Sequence, residues 1–337
     1  MALKQAMINN KIEIDDEISN LYLRKDIDKS WQRWNTHFSN KTCKPSNIDG
    51  QTDDTAIANH FSDCFASVYF DSCENNVDVA CLEKLQSLAM IEKGSTEHKC
   101  RKLIDVCGTE YGLKCLKAGK ASGFNNLCKE NILYAHPIII THLTNLFNMI
   151  SMHGLVPGNF GLGVTVPVVK DKLGDVTAAN NYRPVTLSPV ISKIVEYCIV
   201  QQYEHLLSSD ILQFGFKKNV SCSHAIFVLT QTVDYFVKNG SDVFMLSLDA
   251  RKAFDRVNHV KLFDKLIDHG FPSMLVNVLL DWYGKTFSIV KWAGCYSRCI
   301  SVRSGIRQGG ILSPLLFNIY IDSVIHLGSV RWLHCIC

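Results

Sequence analysis

VFMLSLDARKAFDRVNHVKLF, residues 243–263, sets four apolar side chains in a row and then places one carboxylate at Asp249 and a second at Asp255. A short apolar run of this kind reads as a buried strand, VFMLSL, with Asp249 where the chain leaves the sheet. Side chains at such exits commonly reach a ligand. A carboxylate there suits a hard cation, because Mg²⁺ prefers oxygen and is usually held by one or two carboxylates together with substrate phosphates. An aspartate in that place also serves as an N-cap for a following helix. Asp255 carries the same ambiguity and could instead bond backbone amides at the turn.

Two more segments carry chemistry. VRSGIRQGGILSPLLFNIYID, residues 302–322, puts Arg307, Gln308, Gly309 and Gly310 in a loop that opens into an apolar helix at Leu312-Ser313-Pro314. Glycines let backbone approach a ligand closely, and a helix N-terminus favours anionic groups. VPVVKDKLGDVTAANNYRPVTLSPVISKIVE, residues 166–196, places Lys170, Lys172 and Arg183 around a Gly-Asp turn, as in a β-ribbon with cations at its tip.

The chain around these segments is long enough for two or three domains or for one large body with a satellite: 337 residues, 47% of them hydrophobic. The 35 basic and 32 acidic residues leave a net charge of +3, too small to announce a polyanion partner, so any such footprint is local. Fourteen cysteines without a repeated C-x-x-C spacing read as reduced intracellular thiols rather than a disulfide framework. His334, Cys335 and Cys337 lack partner pairs at zinc-binding spacing. The most apolar helical stretch, from Pro137, is interrupted by His142, Thr144 and Asn145 and falls short of the roughly 20 residues a bilayer requires.

Residues 1 to about 65 are polar, and CKPSNIDGQTDD from Cys43 reads as a loop. Ile57, Phe61 and Phe65 recur at helical spacing. A domain boundary is expected near residue 100, giving a helical, linker-like region 1–100 and a second domain 101–337. In the latter, helices are predicted from Pro137 to Gly154, through VISKIVEYCIV, CSHAIFVLTQTVDYFV, HVKLFDKLIDHG and FPSMLVNVLLDWYG, with a hairpin around Gly294. Strands and helices mix without a βαβ rhythm, so the fold class is α+β.

In this order and over this distance, KAGKASGFNNLCKENI, KDKLGDVTAANNYRPVTLSPVISKIVE, the QFGF at Gln213, LDARKAFDRV and SGIRQGGILSPLLFNIYID resemble the reverse transcriptase of non-LTR (LINE-type) retrotransposons. The resemblance covers roughly two thirds of the chain. Residues 11–70 are similar to the linker that precedes the polymerase in such elements. It implies right-hand polymerase fingers and a partial palm, an RNA-directed DNA polymerase working on an RNA template, a DNA primer and deoxynucleoside triphosphates, and an intracellular setting.

By the same resemblance Asp249 matches the first metal-binding, catalytic aspartate, with the carbonyl of Ala250 as a further metal ligand for one of two Mg²⁺ ions. Phe254 matches the aromatic residue under the sugar of the incoming nucleotide. Lys170, or Lys172 as its alternative, and Arg183 match the cations on the triphosphate. Gln308 and Gly309 match the loop against nucleotide and template. Asn125 stands where the family usually has Asp. The second carboxylate motif of the family, Y/F-A-D-D, has no counterpart here: after Asp322 there is no Asp or Glu, and the Asp-Asp pairs are Asp15-Asp16 and Asp53-Asp54. The expectation is therefore a chain without endonuclease, second carboxylate motif or thumb, inactive as it stands. The alternative is a non-catalytic RNA- or nucleotide-binding relic.

Overall fold

The computed structural model describes residues 16–17, 19–26, 29, 31, 33, 45–71, 104–247, 249–250 and 252–323. The chain divides into two compact units, Met1–Ser46 and Asn47–Cys337. In the first, helical residues are tied by Arg33, which donates through Nε (2.9 Å) and Nη2 (2.7 Å) to one oxygen of Glu17. The boundary expected near residue 100, and the His334-Cys335-x-Cys337 cluster, lie outside the described residues.

The second unit opens with a turn at Asp49-Gly50, closed by a bridge between Ile48 and Gln51, in the stretch read as a loop. Helix α1 (Asp54–Asp71) follows, started by Asp53, whose carboxylate accepts from the amide of Ala56 at 2.8 Å. Next come α2 (Val106–Cys115), α3 (Lys129–Leu133) and α4 (Ile138–His153), the last ended by Gly154 in the left-handed region. Strands β1 (Leu162–Val169) and β2 (Tyr182–Leu187) form the expected ribbon, antiparallel with Val169 opposite Tyr182. Helices α5 (Val190–Gln202), α6 (Cys222–Lys238), α7 (His259–Asp268) and α8 (Ser273–Gly284) lead to the hairpin of β3 (Phe287–Trp292) and β4 (Cys295–Ser301), which turns at Ala293-Gly294. Helix α9 (Ser313–Asp322) follows, with Pro314 in its first turn, where a missing N–H costs nothing.

The sheet has the order β2-β1-β3-β4, and β1 and β3 run parallel while the other pairs are antiparallel. Helix α1 lies against β3 and β4. Phe61, fully buried, meets Tyr182 edge-on at 5.0 Å and Trp292 at 5.1 Å between ring centroids, and Ile57, Tyr69 and Val290 complete this cluster. Burying each such side chain contributes about 1.5–3 kcal/mol. A larger cluster gathers Phe147, Ile194, Leu262, Leu279 and Leu316 from α4, α5, α7, α8 and α9.

One expected element is absent. Residues 241–247 form no strand, and Phe244, Met245 and Leu246 are 86, 67 and 84% exposed. A strand exists only where a neighbour takes its N–H and C=O groups, and among the described residues no strand runs beside this segment. The preceding helix, α6, buries only Ala225. Apolar composition alone marked 243–248 as a strand; pairing is what composition does not supply.

Candidate functional site

A cavity of about 540 Å³ opens between the β1–β2 ribbon, α1, the turn after residue 250 and the loop before α9. Lys170, Arg183, Ala250, Phe254, Gln308 and Gly309 all line it, with Cys64, Tyr69, Tyr182, Phe216, Lys252 and Asp255 among their neighbours. Of the residues singled out from sequence, Asn125, Lys172, Asp249, Arg307 and Gly310 are not on its wall. Asp249 is exposed, on the segment that lacks the expected strand.

The ribbon explains the cations. Lys170 follows β1 directly, its backbone amide donates to Asn181 O at 2.8 Å, and its Nζ donates to Asn180 O at 2.9 Å, which fixes the side chain across the turn. Arg183 lies on β2 opposite Val168. Burial holds the Lys170 ammonium below the usual lysine range, the charges of Lys252 and Arg183 add to this, and Asp255 opposes it. The three cations thus converge, as they would for a polyanionic ligand.

The floor is aromatic. Phe254 stacks on Phe317 of α9 (4.7 Å, 15° between planes) and meets Phe216 edge-on at 5.6 Å. Its backbone carbonyl accepts from the amide of Ile306 at 2.8 Å, and Val257 O accepts from Gly305 N at 2.8 Å, so the turn and the loop before α9 are paired through their main chains.

That loop is held from three sides. Gln308 O accepts from Thr186 N at 2.8 Å, joining it to β2. Gly309, at φ +113°, lies so close to β2 that a Cβ there would meet Thr186 O at 2.7 Å. Gln308 Nε2 donates to Asp255 Oδ1 at 3.0 Å. Burial pushes the Asp255 carboxyl above its usual range, against the pull of Gln308, Lys252 and Lys170. Beneath the loop, Arg307 Nη2 donates to Gly161 O at 2.6 Å, and buried Glu196 of α5 accepts from the amides of Ile311 and Leu312, the latter at 3.1 Å. Burial raises the Glu196 carboxyl and lowers the Arg307 guanidinium, while each partly offsets the other.

Asp255 therefore holds Gln308, where the sequence reading left it between a cation ligand, an N-cap and a turn-binding role. Glu196 sat unnoticed in the apolar periodicity of VISKIVEYCIV. Its signal was available: residues 192, 196 and 199 fall on one helical stripe, all three are buried, and a carboxylate on such a stripe requires partners. Asn125 accepts from Leu127 N at 3.1 Å, a local turn bond that Asp could make equally well. Near the cavity, His60 Nε2 bonds Asp49 Oδ2 at 2.9 Å and lies 3.7 Å from Cys64 Sγ. Both contacts use the same ring nitrogen, and burial raises the Cys64 thiol, so this is a packing contact and not an activated nucleophile.

A Mg²⁺ pair would need carboxylates that converge. Among the described residues no three His, Cys, Asp or Glu side chains do so. Among the described residues, the one carboxylate on the cavity wall, Asp255, is engaged by Gln308. These residues do not make up a two-metal centre, and no transfer step follows from them.

Residues 169–337, half of the chain, match the family model described as reverse transcriptase (RNA-dependent DNA polymerase). The chain belongs to the reverse transcriptase family. Among curated relatives, the RNA-directed DNA polymerase from mobile element jockey of Drosophila funebris is 24% identical over 286 residues, 82% of this chain and 30% of the relative. The retrovirus-related Pol polyprotein from type-1 retrotransposable element R2 of Popillia japonica is 27% identical over 185 residues, 53% of this chain and 25% of the relative. The chain thus spans less than a third of the length of these relatives. Among the described residues, no helix is long and apolar enough to cross a membrane.

Proposed function

We propose that residues 101–337 form the fingers and part of the palm of an intracellular RNA-directed DNA polymerase, with the region before them as a linker-like segment that contributes α1 to the cavity wall. In this reading the β1–β2 ribbon is the fingers element, and the cavity receives a deoxynucleoside triphosphate opposite an RNA template, next to a DNA primer. Lys170 and Arg183 grip the phosphates, where the planar fork of Arg suits phosphate oxygens. Phe254 lies under the sugar, fixed by Phe216 and Phe317. Gln308 and Gly309 face the base and template, with Asp255 as the residue that positions Gln308.

One observation carries the proposal: Lys170, Arg183, Phe254, Gln308 and Gly309, from three separate segments of sequence, line a single cavity. Its volume, about 540 Å³, is within the range of small-molecule sites. Lys170 is favoured over Lys172 as the phosphate contact, because only the former lines the wall.

Asp249 and the Ala250 carbonyl are the contribution we assign to Mg²⁺. The polymerase reaction needs two metal ions about 4 Å apart to stabilise the attacking and leaving oxygens. Among the described residues one carboxylate does not assemble that pair, so in this reading they hold nucleotide and RNA without joining nucleotide to primer. Primer extension on oligo-primed RNA with Mg²⁺ and deoxynucleotides tests this. The expected result is no incorporation by a protein that still binds triphosphate. Incorporation abolished by Asp249→Ala would show a complete centre and end the reading of a binding-only chain.

A further inference from the structure

Two rings of different standing restrain Phe254. Its main chain is fixed where its carbonyl accepts from Ile306 N at 2.8 Å, so the place of the side chain depends on what it packs against. Phe317, half-buried on α9, covers one face of the ring, nearly parallel at 4.7 Å between centroids. Phe216 comes from the loop between α5 and α6 and stands edge-on to Phe254, at 5.6 Å and 80° between planes. It is 55% exposed and lines the cavity itself.

Phe216 holds that place at a cost. Its φ is +55°, in the left-handed region, where the Cβ of a bulky residue crowds the carbonyl that follows. Burial does not offset the strain, because more than half of the residue's surface stays in water. The loop is nonetheless tied down on both sides of the ring. Asn318 Nδ2 of α9 donates to Gly215 O at 2.8 Å, and Lys217 Nζ donates to Ser209 O at 3.1 Å and to Asp210 O. Gln213, three residues earlier, is fully buried, and among the described residues neither its amide nitrogen nor its oxygen has a hydrogen-bond partner. A left-handed phenylalanine and an orphaned amide within four residues persist only where the surroundings over-determine them, and such strain clusters at ligand clamps. What the strain secures here is a ring edge against Phe254, a contact that fixes both the distance and the tilt of its partner.

We propose that Phe216 is a positioning residue for Phe254 and thereby sets how well the cavity tells a deoxyribose from a ribose. The inference rests on the function proposed above, in which Phe254 lies under the sugar. The two sugars differ by one hydroxyl. A ring clamped between Phe317 and Phe216 rejects the larger sugar, whereas a ring free to swing away from the missing edge yields to it.

Calorimetric titration of the full 337-residue protein with a deoxynucleoside triphosphate and, separately, with the matching ribonucleoside triphosphate, both with Mg²⁺, gives the ratio of the two dissociation constants. The unsubstituted protein should prefer the deoxy form. Phe216→Gly removes the ring and relieves the left-handed backbone, so the melting temperature should hold while the preference narrows about threefold to tenfold, the worth of one edge-on aromatic contact. Phe216→Leu, which keeps apolar bulk without a ring, should narrow it likewise and serves if the glycine variant melts early by circular dichroism. Phe236→Ala, which removes a ring of α6 that is not on the cavity wall, should leave the ratio unchanged.

An unchanged ratio in the Phe216 variants, whether affinity holds or falls equally for both sugars, overturns the inference and leaves the nucleotide cavity standing. Equal binding of the two triphosphates by the unsubstituted protein does the same. If the unsubstituted protein binds neither, the nucleotide reading itself falls, and this inference with it.

Discussion

Gln308 donates its side-chain amide to Asp255 at 3.0 Å, so a loop residue before α9 is oriented by a carboxylate from the turn that follows Asp249. The second acid of the DARKAFD stretch thus faces the loop, not a metal. Replacing it separates charge from hydrogen bonding. Asp255→Ala leaves the Gln308 amide without its acceptor in a half-buried place, a cost of about 1–3 kcal/mol. Asp255→Asn keeps an acceptor oxygen and removes a buried charge. Thermal unfolding should show a clear loss for the alanine variant and little or none for asparagine, and equal losses would mean that the charge, not the bond, matters.

Gly309 and Gly294 both have positive φ, at +113° and +97°, but only Gly309 has backbone within reach of a new Cβ. Alanine at 294 meets nothing within 4 Å and carries the backbone penalty alone, about 1 kcal/mol. Alanine at 309 adds a collision with Thr186 O, so the ribbon and the loop must part, at a further cost of about 1–3 kcal/mol. Denaturant titration should rank Gly309→Ala well below Gly294→Ala, and triphosphate binding should fail in the former only.

His259 accounts for a dependence on pH. It is half-buried, its Nε2 donates to Gly305 O at 2.7 Å, and the loss of water around the ring holds its pKa below the ordinary value near 6.5, with the Gly305 bond opposing. As pH falls through the unfolded value, the unfolded chain takes up a proton that the folded chain resists. Stability is therefore fully present above about pH 6.5 and declines as pH falls toward the depressed folded value, by at most about 1.4 kcal/mol per pH unit. Denaturant titrations at about pH 7.5 and 5.5 should show this decline, and His259→Gln should flatten it. A variant with the same slope would assign the effect elsewhere.

Local patterns made most of the fold legible before any coordinates. The stripe Leu143, Phe147 and Ile150 is the buried face of α4, and Gly154 ends it in the left-handed conformation. The β1–β2 ribbon stands where the Gly-Asp turn put it, and the hairpin at Gly294 where alternation put it. The apolar run at 243–248 misled, because a strand is a property of two segments and one segment cannot declare it. The cavity residues Lys170, Arg183, Phe254, Gln308 and Gly309 were readable as a set through motif order. Glu196 and Asp255 were not read as supports, because their partners, Ile311 and Gln308, lie 115 and 53 residues away.

The central claim, that the cavity is a triphosphate site, is tested most directly by calorimetric titration of the 337-residue protein with a deoxynucleoside triphosphate and Mg²⁺. The account predicts one site, with affinity reduced about tenfold or more by Lys170→Ala, the loss of a charged hydrogen bond worth about 1.5–3 kcal/mol, and left nearly unchanged by Lys172→Ala. No binding heat, or equal affinity in the Lys170 variant, would contradict it.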